Sequence, residues 1–507
     1  MDRREFWQFW AAGLAGEVGP SLLGRSPVVR PPLAGQQPGD PNQLRLGMDS
    51  PRVVRLYGPQ AARLEKARYV GIAAVMVWSE GDGTVTWQLD TPGPGDYEVS
   101  VCYAAAMEGW QVEVSSSRSG LTATLHKTEG FYWDSRFNFE RVVVAGVLSL
   151  PAGSVTVSLR AREAVSYEVP DYFWSKPSPT FLLRSVELTP VGAKTEIVES
   201  EERARRRRAS AAWLSEAEYG VMFHWNSRSA PRHGPRKGYL DAVQDFDVAA
   251  FVDMVQHTGG AYVLLTTGWA DPCCPAPIRS WEKVFPGWTA RRDLIADLAE
   301  GLGKKGIRLL LYFPSQTLGW GEHYQRLEKV SPDEFMNIHH EILDEVGRRY
   351  GKSVAGYWFD GWGLVTVKYP NISTEDFFNF CKVGNADRII ALSNWIFPLE
   401  NPWQDYYAGD LGSIENPPKT RCVDDGPGQG IQYHCTVTLD EPNWAHEAIE
   451  SPMAPPRFDE GRLVSYVQAC MGIKVPVTLN LGIFQDGTVG EQTFKQVRSL
   501  RRKIRGD

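Results

Sequence analysis

From residue 50 to residue 192, apolar and polar side chains alternate with a period of two. The runs GTVTWQLD (83–90), YEVSVCYAA (97–105), WQVEVSSS (110–117), RVVVAGVLSL (141–150) and SVTVSLRA (154–161) all carry this pattern, which puts one face of a strand in a core and the other in water. Turn sequences such as Thr91-Pro92-Gly93-Pro94-Gly95 and Pro151-Ala152-Gly153 separate the runs. Helix-period segments are nearly absent, so residues 50–192 are expected to form an antiparallel β-sandwich. Residues 193–210 contain a Glu-rich stretch followed by Arg205 to Arg208. They read as a charged linker helix whose arginines line a solvated face.

From residue 211 onward the pattern changes. Short apolar runs without alternation appear: YGVMFHW (219–225), AYVLLTT (261–267), IRLLLYF (307–313), VAGYWFD (354–360), RIIALSN (388–394), QDYYAGD (404–410), IQYHCTV (431–437) and PVTLNLG (476–482). Amphipathic stretches such as DVAAFVDMVQHTG and RRDLIADLAEGLGKKG lie between the earlier ones. Strands apolar on both faces, alternating with helices, describe a parallel sheet covered on both sides. Eight of them predict a (β/α)8 TIM-like barrel over 211–507. An open doubly wound sheet is the alternative, but no Gly-rich phosphate loop follows any strand.

Active sites of such barrels are built from loops after the strand C-termini. The predicted strand ends carry His224-Trp225-Asn226, Thr266-Thr267 with Trp269 and Asp271, Tyr312 and Ser315, and Asp360-Gly361-Trp362. They continue with Asn394-Trp395, Asp410 leading to Glu415, His434-Cys435-Thr436, and Asn480. Carboxylates among aromatics and hydroxyl-pairing groups are what a sugar-cleaving site requires.

Composition narrows the partners. A net charge of −7 leaves no basic surplus for phosphates, which argues against nucleic acid. The 18 Trp and 19 Tyr favour carbohydrate, because flat rings stack on sugars. No run reaches the roughly 18 apolar residues that span a bilayer. The oligomeric state is not legible. Of the seven cysteines, Cys422 and Cys435 could close a loop as a disulfide, and most of the others read as small buried apolar groups. In residues 1–45, Arg3-Arg4-Glu5-Phe6 and the apolar stretch behind it resemble a twin-arginine export signal, so a periplasmic or extracellular location is expected. The short apolar stretch and the lack of a clean cleavage site leave an amphipathic intracellular start as the alternative.

Several motifs, taken in order, resemble the α-L-fucosidases of glycoside hydrolase family 29. They are WLSEAEYGVMFHWN (213–226), FDVAAFVDMVQHTGGAYVLLTT (246–267), RRDLIADLAEGLGKKGIRLLLYF (291–313), GYWFDG (356–361) and VTLNLGIFQDGTV (477–489). The sandwich resembles the carbohydrate-binding modules appended to glycosidases. The resemblance implies a retaining exo-glycosidase that uses no cofactor or metal, with Asp360 as nucleophile. GDLGSIEN (409–416) places Glu415 as acid/base, with Glu400, Glu441 and Asp410 as competitors. His224, Trp225, Trp269, Asp271, Tyr312, Trp362, Trp395 and Asn480 are the expected substrate-binding residues. One motif departs: where the family has TTKHHDGF, this chain reads TTGWADPCC (266–274), so the glycone is open. Two other readings are a carbohydrate-binding protein on a barrel that has lost hydrolysis, and a metal-dependent hydrolase using His224, His233, Asp271, His434 and Asp360.

Overall fold

The structure, a computed structural model, describes residues 53–70, 75–78, 82–105, 107–128, 137–162, 181–269, 271–314, 330–393, 396–397, 399–411, 414, 417–441, 444–449 and 451–506. The export-signal region, Ser315, Asn394, Trp395 and Glu415 lie outside the described residues. The chain divides into two units. Unit 1 runs to Ala204 and includes Gly363–Ile372 and Ile396–Glu400; unit 2 holds Arg205–Trp362, Ser373–Trp395 and Asn401–Asp507.

Unit 1 is the expected antiparallel sandwich. A six-stranded sheet is built from Val54–Leu56, Ala67–Val70, Val75–Trp78, Gly95–Ala105, Glu140–Leu150 and Phe181–Pro190. A five-stranded sheet contains Arg63–Glu65, Asp82–Thr91, Trp110–Ser115, Gly120–Leu125 and Gly153–Arg162. The two-residue period read from the sequence is the burial pattern of Asp82–Thr91, where Val85, Trp87 and Leu89 are buried and Gln88 is exposed. These residues join Val99, Val101, Trp110, Val112, Val157, Leu159 and Leu188 in one apolar core. Phe181–Pro190 breaks the pattern. It buries Arg184 and Glu187 as well as its apolar residues, and its pairing with Gly95–Ala105 shifts register between Leu183 and Ser185. The shift falls at Arg184, an irregularity of the kind that bends a strand locally.

Unit 2 contains the parallel sheet. Its strands are β1 (Tyr219–Phe223), β2 (Tyr262–Thr266), β3 (Arg308–Pro314), β4 (Val354–Asp360), β5 (Ile389–Leu392), β6 (Asp410–Leu411), β7 (Cys435–Thr438) and β8 (Val477–Asn480). They form one curled sheet in the order β5-β4-β3-β2-β1-β8-β7-β6. The remaining seam is bridged by residues 404–409. Asp405 and Tyr406 donate their N–H groups to Ile390 O, Tyr407 donates to Gln432 O, and Gly409 O accepts from Thr436 N. The sixth strand is therefore mostly irregular, with its main chain following the path the apolar run QDYYAGD predicted. The side chains of Gln404 and Asp405 supply further acceptors, to Leu392 N and Ile390 N.

The intervening helices start where the sequence places cap residues. Asp247 accepts from Ala250 N ahead of Val248–Thr258, Asp293 from Ala296 N ahead of Leu294–Gly303, and Ser331 from Glu334 N ahead of Pro332–Tyr350. Each such cap satisfies a backbone donor that the helix itself leaves orphaned, worth about 1 kcal/mol. The charged linker is the helix Lys194–Arg207. Its arginine run is engaged rather than merely solvated: Arg208 donates to the carbonyls of Pro402, Pro427 and Gln429.

Two sequence expectations are corrected. The seventh strand begins at Cys435, so His434 precedes it and lies at the end away from the C-terminal rim that carries Asp360. There its Nδ1 faces Ala408 O and its Nε2 pairs with Thr478 Oγ1. No disulfide joins Cys422 and Cys435. Cys435 is buried where β7 pairs with β8, whereas Cys422 is partly exposed in the preceding loop and bridges to Gln432.

Candidate active site

Period-two alternation decides which strand-end residues face the barrel axis. Met222, Leu264, Leu310, Tyr312, Trp358 and Ala391 share one buried cluster, the axial core. Phe223 and Phe359 have the opposite parity and pack outward, against Phe251 and Phe377 of the surrounding helices. His224 and Asp360 continue the inward parity of Met222 and Trp358.

Asp360 is the last residue of β4 and is 9% exposed. The Tyr312 hydroxyl, from the neighbouring β3, donates to Asp360 Oδ2 at 2.7 Å. Gly361 follows with φ 74°, a left-handed conformation that suits glycine and turns the chain sharply into the helix Trp362–Lys368. The turn is fixed from β5: Trp362 N donates to Ser393 O and Ser393 N donates to Phe359 O. The Trp362 amide is thus not a donor to Asp360.

His224 stands beside this pair. Its ring lies 5.3 Å from the Tyr312 ring, 5.2 Å from Trp269 and 5.4 Å from Trp444, all as centroid distances. Nδ1 is 2.8 Å from Asn480 Oδ1, while Asn480 Nδ2 donates to Trp444 O at 2.9 Å. The amide orientation is therefore set by a carbonyl, and its oxygen must accept from Nδ1–H. That leaves Nε2 as the lone-pair nitrogen. Burial lowers the imidazole to about 4, outweighing the opposing hydrogen bond that Nδ1–H donates to Asn480. At neutral pH His224 is an uncharged acceptor, suited to a sugar hydroxyl.

The structure brings together Asp360, Tyr312, His224, Asn480 and Trp269, five of the expected residues. Asp271 lies alongside, paired with the Ser227 hydroxyl and 3.6 Å from Arg228 Nε. Trp225 and Trp362 are corrections. Trp225 has outward parity, packs against Tyr239 and Phe246, donates Nε1 to Gln485 O and is 1% exposed. Trp362 is buried with its ring on Phe377. Two of the competing acids are engaged elsewhere. Glu400 belongs to unit 1, where Arg184 and Tyr57 hold it. Glu441 accepts from His446 Nδ1 and Ala454 N. Trp444 is the residue the sequence reading missed; only its position in the loop after the seventh apolar run marked it.

The departing loop TTGWADPCC has a steric reason. Gly268 has φ 157°, and a Cβ there would stand 3.1 Å from Cys273 O. A lysine Cβ there could be taken in only by moving the Cys273 carbonyl. Among the described residues, no three His, Cys, Asp or Glu side chains gather closely enough to hold a metal ion. Of the donors of the metal-hydrolase reading, His434 lies at the opposite end of the sheet from Asp360. Among the described residues no helix is long and apolar enough to cross a membrane.

No family model matches the chain. Two curated proteins resemble part of it. Tissue α-L-fucosidase of Homo sapiens is 28% identical over 150 residues, and that of Macaca fascicularis is 27% identical over 150. Both are fucosidases. The match takes in 23% of this chain and about a third of each relative, 32% and 31%. Among solved structures, the α-L-fucosidase AlfC from Lactobacillus casei with its α-L-fucose product matches at 16% identity and a TM-score of 0.41, over 58% of this chain and 98% of that one. A family 29 α-L-fucosidase from Bacteroides thetaiotaomicron, trapped as a covalent intermediate, matches at 15% identity and a TM-score of 0.42, over 59% and 75%.

Proposed function

We propose that this protein is a retaining glycoside hydrolase that removes a terminal sugar, α-L-fucose or a stereochemically related residue, from a glycan. The observation that carries the reading is the Tyr312–Asp360 pair, a nearly buried carboxylate at the end of β4 aimed by a neighbouring hydroxyl. A carboxylate with little competing hydration is a good nucleophile toward an anomeric carbon, and the cationic sugar of the transition state stabilises it.

In the first step an Asp360 oxygen bonds to the anomeric carbon while the glycosidic bond breaks. Glu415 gives its proton to the leaving oxygen. In the second step Glu415 takes a proton from water, the water oxygen attacks the same carbon, and the Asp360 carboxylate departs. Two inversions return the starting configuration. His224 Nε2 accepts from a ring hydroxyl, and the rings of Trp269 and Trp444 flank the sugar. The tissue α-L-fucosidases that match the chain support fucose as the first substrate to try. The Gly268-Trp269 turn favours a glycone with a less polar edge at that position.

A panel of nitrophenyl glycosides tests the proposal, with NMR following the anomer formed first. Retention on one glycoside, abolished in a folded Asp360→Asn variant, is the expected result. An unchanged rate in that variant removes Asp360 from the mechanism. Silence across the panel with measurable glycan binding would replace hydrolysis by binding alone.

A further inference from the structure

The loop after β7 brings Trp444 against His224, and does so in a conformation that tryptophan resists. Trp444 has φ 70°, in the left-handed region where a bulky side chain crowds its own backbone. A residue stays there only when its surroundings over-determine it, and such arrangements gather at binding sites.

Glu441 and His446 close the loop on either side of Trp444. His446 Nδ1 lies 2.7 Å from Glu441 Oε1, which also accepts from Ala454 N at 3.0 Å. A carboxylate only accepts, so Nδ1 carries the hydrogen. The His446 side chain is 2% exposed, and its ring meets Phe484 edge-on with centroids 5.0 Å apart. Across the closed loop Trp444 N donates to Glu441 O at 3.1 Å. The pair is anchored to the barrel as well. Asp440 Oδ1 accepts from Glu441 N and from Gly482 N, just beyond β8, and His446 O accepts from Ala230 N in the loop after β1. A Cβ at Gly482 would stand 2.8 Å from Glu441 Cγ, so the missing side chain there lets the carboxylate lie this close to β8.

Trp444 brings two groups to His224. Its ring stands 5.4 Å from the imidazole, and its carbonyl takes Asn480 Nδ2, which fixes the amide whose oxygen faces His224 Nδ1. Rotation about its N–Cα bond to negative φ would swing ring and carbonyl away together. We propose that Glu441 and His446 are positioning residues for sugar binding. Their charge-assisted hydrogen bond holds Trp444 in its left-handed conformation, and through it both the flanking ring and the tautomer of His224. This deepens the proposed function and rests on His224 and Trp444 facing the sugar.

Two substitutions at one position separate the hydrogen bond from packing. His446→Asn keeps an N–H donor where Nδ1 stands and loses most of the ring. His446→Phe keeps a ring against Phe484 and loses the donor. In the full-length protein, backbone hydrogen–deuterium exchange at residues 444–447 should quicken at least fivefold in His446→Phe and stay within twofold of wild type in His446→Asn. Val263–Leu265 of β2 should be unchanged in both. On whichever nitrophenyl glycoside the wild type cleaves, His446→Phe should raise KM at least fivefold with kcat within threefold, and His446→Asn should keep KM within twofold. The reverse order makes ring packing the holder and overturns the proposal, as do equal losses in both variants or a loss confined to kcat. Glu441→Ala removes the acceptor without touching the imidazole; it must reproduce His446→Phe, and serves should that variant fail to fold. If the wild type cleaves no glycoside, the hydrolase reading fails by itself. The exchange comparison then still decides whether the pair holds Trp444.

Discussion

The Asn480 carboxamide selects the tautomer of His224: Oδ1 is 2.8 Å from Nδ1, and the amide cannot flip because Nδ2 is bound to Trp444 O. Asn480→Asp should raise the imidazole by placing a negative charge against Nδ1–H. The ring would then be protonated at both nitrogens at neutral pH and could not accept from the sugar. Binding in that variant is expected to be weak at pH 6 and to recover as pH rises, whereas wild type shows no His224-dependent change above about pH 6. A pH series of KM, with imidazole NMR shifts, reads this out. An unchanged profile would show that His224 does not accept from substrate.

Tyr312→Phe removes the donor to Asp360 and keeps the ring against His224. A hydrogen bond to a charged group is worth about 1.5–3 kcal/mol. Stopped assays on the cleaved glycoside should therefore give a kcat/KM lower by about 10- to 100-fold, with melting lowered by no more than a few degrees. A rate within twofold of wild type would leave Tyr312 with a packing role.

Gly268→Ala is expected to destabilise by about 1–3 kcal/mol, because a methyl at φ 157° meets the Cys273 carbonyl. Trp269→His should cost less than about 1 kcal/mol, since that ring is only partly buried. Chemical denaturation of the two variants decides. Equal losses would mean that the turn, not the glycine, sets the local conformation.

His224, His339 and His434 are all lowered by burial to about 4, from an ordinary value of 6.5. Unfolded, each takes up a proton near pH 6.5; folded, each resists until about 4. In that window the unfolded chain binds more protons, so stability is complete above pH 6.5 and falls as pH is lowered through it. The melting temperature should be flat from pH 7 to 8 and drop by about 5 °C or more by pH 5. His339→Gln should remove part of the slope, as calorimetry at successive pH values would show. A flat curve to pH 5 would contradict the burial of these imidazoles.

Much of this architecture was legible because it follows from local rules. The alternation of 83–90 and the unbroken apolar runs of 261–267 and 307–313 report one-sided and two-sided burial. The same period-two rule, carried one residue further, separates His224 from Trp225, since neighbours on a strand face opposite ways. What stayed hidden depends on distant chain. Nothing local tells Glu400 that Arg184 awaits it, or His224 that Trp444 lies alongside. The sixth strand was hard to delimit because its hydrogen bonds run partly through side chains.

That sixth strand has a consequence for how the barrel opens. At Ile390 the ring of peptide bonding is completed by a carboxylate: Asp405 Oδ2 accepts from Ile390 N and from Lys382 Nζ, both at 2.8 Å, while Oδ1 takes Ala209 N at 2.6 Å. Elsewhere the wall is sewn by backbone that every residue supplies; here the backbone bonds to Ile390 O share the work with the side chains of Gln404 and Asp405. Under pressure or mild denaturant, this is where the sheet should part first, because part of its closure depends on which residues stand at 404 and 405.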